Sequence, residues 1–223
     1  MKSLVRKFFY LAIPLILLSC TPGNAKATIN NRLCDPPCWL NIQPGTTSVE
    51  EAVKSLELSS LVEPKTIKRT KANQYFPPDQ IFFKLKGEGS GNLSIENGVV
   101  TSIELGEVSL PLKYIFEQYG EPEQVLILPY WEWDKKWYVV FLYPEQGILC
   151  EYIKKEPLLR KNVISINQGD IVSTLIYTKP SHFQTTVESI IFGNPADKSF
   201  DYNTITQKYK GYGDVKIIRP LGW

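Results

Sequence analysis

Residues 80–105 read QIFFKLKGEGSGNLSIENGVVTSIEL, and the punctuation of this stretch decides the fold. Three runs, Gln80 to Lys86, Asn92 to Glu96 and Val99 to Leu105, read as strands. They are separated by a glycine-rich turn and by Asn97-Gly98. An Asn-Gly pair between two alternating runs is the strongest short hairpin signal, because both residues tolerate the positive φ that a type I′ turn requires. Gly87-Glu88-Gly89-Ser90-Gly91 carries an acid among its glycines and lies between two strands, so it makes a hairpin loop rather than a phosphate cradle.

On either side of this stretch lie two segments with helix signals. Before the first, Thr47 or Ser48 caps, and Glu50 or Glu51 three residues on completes a capping box. Val49, Ala52, Val53 and Leu56 then fall on one helical face. For the second, Ser109 is the expected cap, with Pro111 in the first turn where its missing N–H costs nothing. Leu112, Ile115, Phe116 and Tyr119 repeat the spacing, Gly120 ends the helix and Pro122 blocks its continuation. Further strands are expected over Gln124 to Leu128, Lys136 to Tyr143, Ile148 to Lys154, Asp170 to Thr178 and Thr186 to Phe192. The tail carries a short helix at Thr204 to Tyr209 and a last strand at Asp214 to Ile218. The links are too short for parallel crossovers, so the pairing is antiparallel. The expected class is α+β, with helices packed on one face of antiparallel sheet. Two passes of helix plus strands suggest a tandem pair of subdomains, 33–106 and 107–223.

The first residues read as an address. Lys2, Arg6 and Lys7 precede an apolar run, Phe8 to Leu18, interrupted by Tyr10 and Pro14 and followed by Ser19-Cys20. About a dozen apolar residues cannot span a hydrocarbon core of roughly 30 Å, so 1–19 is expected to be a secretory signal. Residues 20–32 are small and polar and read as a flexible tether. The three leader cations belong to a total of 25 Lys and Arg against 23 Asp and Glu, so the exported remainder is close to neutral. No basic tract interleaved with aromatics is present, and no nucleic-acid partner is expected.

Beyond Cys20 the thiols are Cys34, Cys38 and Cys150, an odd number in an exported chain where disulfides persist. Cys34-Asp-Pro-Pro-Cys38 closes a local loop, or either cysteine reaches Cys150. The spacing is one residue too long for a Cys-x-x-Cys redox motif. Tyr130-Trp131-Glu132-Trp133-Asp134, followed by Trp137, invites a contact role, since Trp and Tyr are enriched in binding hot spots. On a strand Glu132 and Asp134 share one face and the tryptophans the other. The plain reading of that pattern is a half-buried hairpin with its aromatics packed inward. The functional reading makes Tyr130, Trp131, Trp133 and Trp137 a surface for a protein partner or a glycan. The one histidine, His182, cannot meet a multi-histidine metal requirement and is expected at the surface. No nucleophile elbow, phosphate loop or dinucleotide fingerprint occurs. No catalytic residue, cofactor or metal is assigned.

Leu17-x-Ser19-Cys20 resembles the lipobox of bacterial lipoproteins, which implies diacylation of Cys20 and a membrane held through that anchor. Pro44-Gly45-Thr46-Thr47 before a helix resembles the opening of BamE/SmpA-type outer-membrane lipoproteins and of β-lactamase-inhibitor-like domains. Tyr119-Gly120-Glu121-Pro122 matches the Gly-x-Pro ending of their helix, here after the second helix rather than the first. Pro36-Pro37-Cys38-Trp39 with Ile42-Gln43-Pro44-Gly45-Thr46 also resembles a group of bacterial envelope lipoproteins. These families are binding or assembly proteins. The resemblance therefore implies a non-catalytic extracytoplasmic lipoprotein of the cell envelope that binds a protein partner or supports envelope assembly. The alternatives are a glycan or small-ligand module using Trp131 to Trp137, and a hydrolase with an unrecognised site.

Overall fold

The computed structural model describes residues 34–72, 79–130, 136–155, 163–192 and 204–218. The expected leader and tether, Cys20 included, lie outside the described residues, as do Trp131 and Trp133.

Ser48 opens the first helix, α1 (Val49–Leu58). Its hydroxyl accepts from the Glu51 N–H at 3.3 Å, while the Glu51 carboxylate accepts from the Ser48 N–H at 3.0 Å. That is the capping box read from the sequence, and the Ser48 N–H, joined by the Ser48 hydroxyl donating to the same carboxylate at 2.8 Å, holds the Glu51 carboxyl below the usual carboxylate range. The Val49 N–H also donates to the Gly98 carbonyl at 3.1 Å, which ties the helix start to the Asn97-Gly98 turn. In that turn φ is 52° at Asn97 and 77° at Gly98, the left-handed pair that the sequence called for.

The strands that follow are β1 (Lys68–Thr70), β2 (Asp79–Lys84), β3 (Ser90–Glu96) and β4 (Val99–Pro111). After the second helix, α2 (Leu112–Tyr119), come β5 (Gln124–Tyr130), β6 (Lys136–Tyr143), β7 (Ile148–Lys155), β8 (Val163–Ile166) and β9 (Ile171–Thr178). The third helix is α3 (Phe183–Phe192), and two short strands, β10 (Thr206–Lys208) and β11 (Gly213–Lys216), close the described chain. Among the described residues nine strands make one sheet in the order β1-β2-β3-β4-β9-β7-β6-β5-β10. Every pairing is antiparallel, as expected. The meander β1–β4 meets the strands of the second half where β4 pairs with β9. A separate ribbon, β8 with β11, was not legible as a pair in the sequence.

Alternation along the strands makes two faces. On the first, Ile81, Leu93, Ile103, Leu105, Phe141 and Cys150 pack with Ala52 and Leu56 of α1, Leu112 and Ile115 of α2, and Ile164 and Ile166 of β8, in one buried core. Each Leu, Ile or Phe among them stabilises by roughly 1.5–3 kcal/mol on removal from water. On the second face Leu126, Leu128, Val140, Leu142, Leu149 and Ile176 pack with Phe183 and Val187 of α3 and with Ile205.

The helices thus lie on both faces, which corrects the one-face expectation. The cause is α3, where the sequence suggested a strand over Thr186 to Phe192. Its β-branched residues favour extended backbone, yet Phe183 and Val187 are four apart and meet the sheet only on a helix. The Thr186 hydroxyl donates back to the His182 carbonyl at 3.0 Å, and the Gln184 amide donates to Glu188 at 2.9 Å. The short helix expected at Thr204 to Tyr209 is instead β10, because Thr206 to Lys208 pairs with Leu126 to Gln124 at the edge of the sheet. Ser109 does not cap α2: it lies in β4 with φ 48°, within a bulge between Gly106 and Leu110, and Pro111 precedes the helix. The first donors of α2 find tertiary acceptors, Leu112 N–H on the Asp170 carbonyl at 2.7 Å and Lys113 N–H on Gln168 at 3.1 Å. Gly120 does end α2, with φ 84°. Tyr143 donates to its carbonyl at 3.0 Å, and Gln146 to that of Tyr119 at 3.0 Å.

Candidate binding face

The second face of the sheet is divided. Its cross-strand rows run from an apolar half under α3 to a polar half that no described helix covers. One row reads Gln124, Leu142, Leu149, Ile176, Glu104, Asn92, Phe82, Lys68 from β5 to β1. The change from apolar to polar falls between β9 and β4, at Ile176 and Glu104. The flanking rows are polar already on β9 or β7: Thr178, Ser102, Ser94, Gln80 and Thr70 on one side, and Glu151, Thr174, Gly106, Ser90 and Lys84 on the other.

At the β1–β2 end this polar half dips into a cleft of about 520 Å³, lined by Lys65, Lys68, Phe82, Lys84, Asn92 and Glu104 among others. Local chemistry positions each. The alternation of Gln80 to Lys84 turns Ile81 and Phe83 into the core and leaves Phe82 outward, 39% exposed. Lys68 faces Phe82 across the β1–β2 pair. Arg69 and Asp79, 3.3 Å apart, clip that pair, and the Ala72 N–H holds the Asp79 carboxyl below its usual range. A 3₁₀ turn, Pro64–Thr66, carries Lys65 over the cleft. It is fastened by the Lys84 N–H donating to the Thr66 hydroxyl at 2.9 Å and the Glu63 N–H donating to the Lys84 carbonyl at 3.0 Å.

The carboxylates sit toward the middle of the sheet. Glu104 accepts from the Asn92 amide at 3.1 Å. Glu151 is pushed up chiefly by burial, with the Thr174 hydroxyl opposing and the Glu104 charge adding to the rise. Lys65, Lys68 and Lys84 are exposed and, among the described residues, none is ion-paired. The face therefore has a cationic rim beside an aromatic ring and a hydroxyl- and amide-rich floor. Such a surface can receive an anionic, partly apolar ligand over a broad area.

The residues singled out from sequence go elsewhere. Trp137 is on β6 with 6% exposure, packed in the first-face core, so its ring is not available to a partner or glycan. Tyr130 ends β5, and its side chain lies outside the described residues together with Trp131 and Trp133. Cys34 and Cys38 form a disulfide with Cα atoms 5.7 Å apart, across a cis Pro36-Pro37 bond. Cys150 is a buried free thiol, and burial pushes its pKa well up. His182 is exposed in a 3₁₀ turn, Pro180–His182. Phe82 and the three lysines escaped the sequence reading, although Gln80-x-Phe82-x-Lys84 on the outward phase of a strand was the signal for them.

Among the described residues no helix is long and apolar enough to cross a membrane. Comparison with protein-family models, with curated proteins and with solved structures finds no match to this chain.

Proposed function

We propose that the chain is a non-catalytic, extracytoplasmic lipoprotein, anchored to a membrane of the cell envelope through Cys20. In this reading it binds a protein partner in support of envelope assembly or maintenance. One observation carries the binding role: among the described residues no helix covers the polar half of the second sheet face, and its cleft holds a half-exposed Phe82 beside lysines that have no ion partner among those residues. An exposed aromatic among charged rim residues is the kind of feature that anchors protein interfaces.

The tandem architecture belongs to the same proposal. α1 with β1-β2-β3-β4, and α2 with β5-β6-β7-β9, are each a helix followed by a meander. Their last strands pair at the centre of the sheet, and both helices lie on the first face. This mirrored arrangement fits a duplicated helix-plus-sheet unit, and it accords with the resemblance to assembly and inhibitor domains. Tyr130, Trp131 and Trp133 remain proposed contacts from the segment joining β5 to β6.

The test is in-cell chemical crosslinking of the tagged, lipidated full chain, followed by mass spectrometry. The expected result is a recurring envelope protein whose recovery falls about tenfold in Phe82→Ser, in line with loss of an aromatic hot spot. Recovery of peptidoglycan or polysaccharide alone would overturn the partner reading in favour of the glycan one. The anchor is checked on the same sample, because an unmodified chain beginning upstream of Cys20 would refute it.

A further inference from the structure

Resting on that reading, we infer that the segment received by the Phe82 cleft is an acidic stretch of the partner protein. It carries two carboxylates spaced two residues apart and an apolar side chain beside them.

Charge complementarity carries the inference. The exported chain is close to neutral, with its basic and acidic residues nearly balanced once Lys2, Arg6 and Lys7 are set aside. Yet Lys65, Lys68 and Lys84 gather at one cleft, all exposed and without ion partners among the described residues. Like charges within a Debye length of about 8 Å repel, so clustering them costs free energy in the unbound protein. An anionic occupant converts that repulsion into attraction. The cleft's own carboxylate, Glu104, bonds the Asn92 amide and forms no direct ion pair with any of the three lysines.

The spacing narrows the occupant. Lys68 lies opposite Phe82, and Lys84 follows two residues along β2, so the two lysines are diagonal neighbours on one face. Diagonal positions are about 7–8 Å apart. An extended segment repeats same-side side chains about 6.8 Å apart, so carboxylates at alternate residues meet both ammonium groups. The Phe82 ring between them takes an apolar side chain. An anionic bilayer surface fits less well, because the ring and the Asn92–Glu104 pair sit in a recess that a flat lipid surface does not enter.

The experiment places the photoreactive p-benzoylphenylalanine at position 82 of the full lipidated chain in cells. A second chain carries it at Leu58, which is 77% exposed on α1. Crosslinked peptides are sequenced by mass spectrometry. The expected product at position 82 is a protein segment with at least two Asp or Glu within a few residues. Its yield falls about tenfold in Lys65→Glu/Lys68→Glu/Lys84→Glu and holds in Lys113→Glu, an exposed α2 control. Circular dichroism verifies that the triple variant is folded.

A neutral or basic protein segment, an acidic segment insensitive to the charge reversal, or a lipid or polysaccharide adduct overturns the inference. So does silence at position 82. The partner reading itself survives if chemical crosslinking or position 58 still captures a recurring protein, and it falls only if no protein is captured by any route.

Discussion

Cys150 illustrates how position rather than residue type sets reactivity. It faces Phe141 and Leu175 across the sheet, has no exposed surface, and burial pushes its thiol well above the ordinary range. The thiolate is the nucleophile, so a thiol held protonated inside a core is inert. In the native protein the Cys150 peptide should stay unlabelled by iodoacetamide at neutral pH, and should label readily in guanidinium chloride. Rapid native labelling, read by mass spectrometry, would show that this part of the core opens. The pairing of Cys34 with Cys38 belongs to the same scale. Spacing left it open against Cys150, and the approach of the Cys34 and Cys38 Cα atoms to 5.7 Å in a bonded pair leaves Cys150 a free thiol.

Among the elements, α2 shows how a helix without good local caps is held by its surroundings. Asp170 does much of this. Its carboxylate accepts from the Tyr152 hydroxyl at 2.9 Å, from the Asn167 N–H at 2.9 Å and from the Lys154 ammonium at 3.1 Å. Its carbonyl receives the first N–H of α2. Both side chains of the ion pair are largely buried, 15% and 16% exposed, and Lys154 also donates to the Ser165 carbonyl of β8. Removing the acid breaks the Lys154 ion pair in a largely buried setting and strips the Tyr152 hydroxyl and Asn167 N–H of their acceptor, so Asp170→Ala should cost about 3 kcal/mol, near the low end for a broken buried pair. Urea unfolding measures it, and a loss below about 1 kcal/mol, the scale of exposed pairs, would mean that water replaces the carboxylate. The sequence signals for α2 proved sound at Gly120 and wrong at Ser109, because the N-terminal donors are met by a loop more than fifty residues away.

At the level of the whole molecule, both halves share one sheet and one first-face core. That core takes in Ile81 and Leu93 from the first meander with Phe141 and Ile148 from the second. With the β4–β9 pairing inside it, exposing one half uncovers the apolar surface of the other. Thermal unfolding followed by far-ultraviolet circular dichroism and by tryptophan fluorescence should therefore give a single coincident transition. Two separated transitions would mean that the two halves of the sheet fold independently. The same scale decides what the second face presents: α3 packs on its apolar part through Phe183 and Val187, and among the described residues no helix packs on its polar part.

What the sequence determined by itself was what neighbours in the chain can enforce. Asn97-Gly98 needs only its own backbone freedom to turn. Ser48 and Glu51 cap α1 from three residues apart, and the alternation through β2 and β3 is a property of each strand alone. Tertiary structure decided the rest. It made α3 a helix against its β-branched composition, drew Thr206 to Lys208 onto the edge of β5, and sank Trp137 into the core. It also left Phe82 among three lysines. Each of these outcomes depends on which surfaces meet across long stretches of chain. Burial and edge pairing there outweigh local preferences, which amount to about 1 kcal/mol or less per residue.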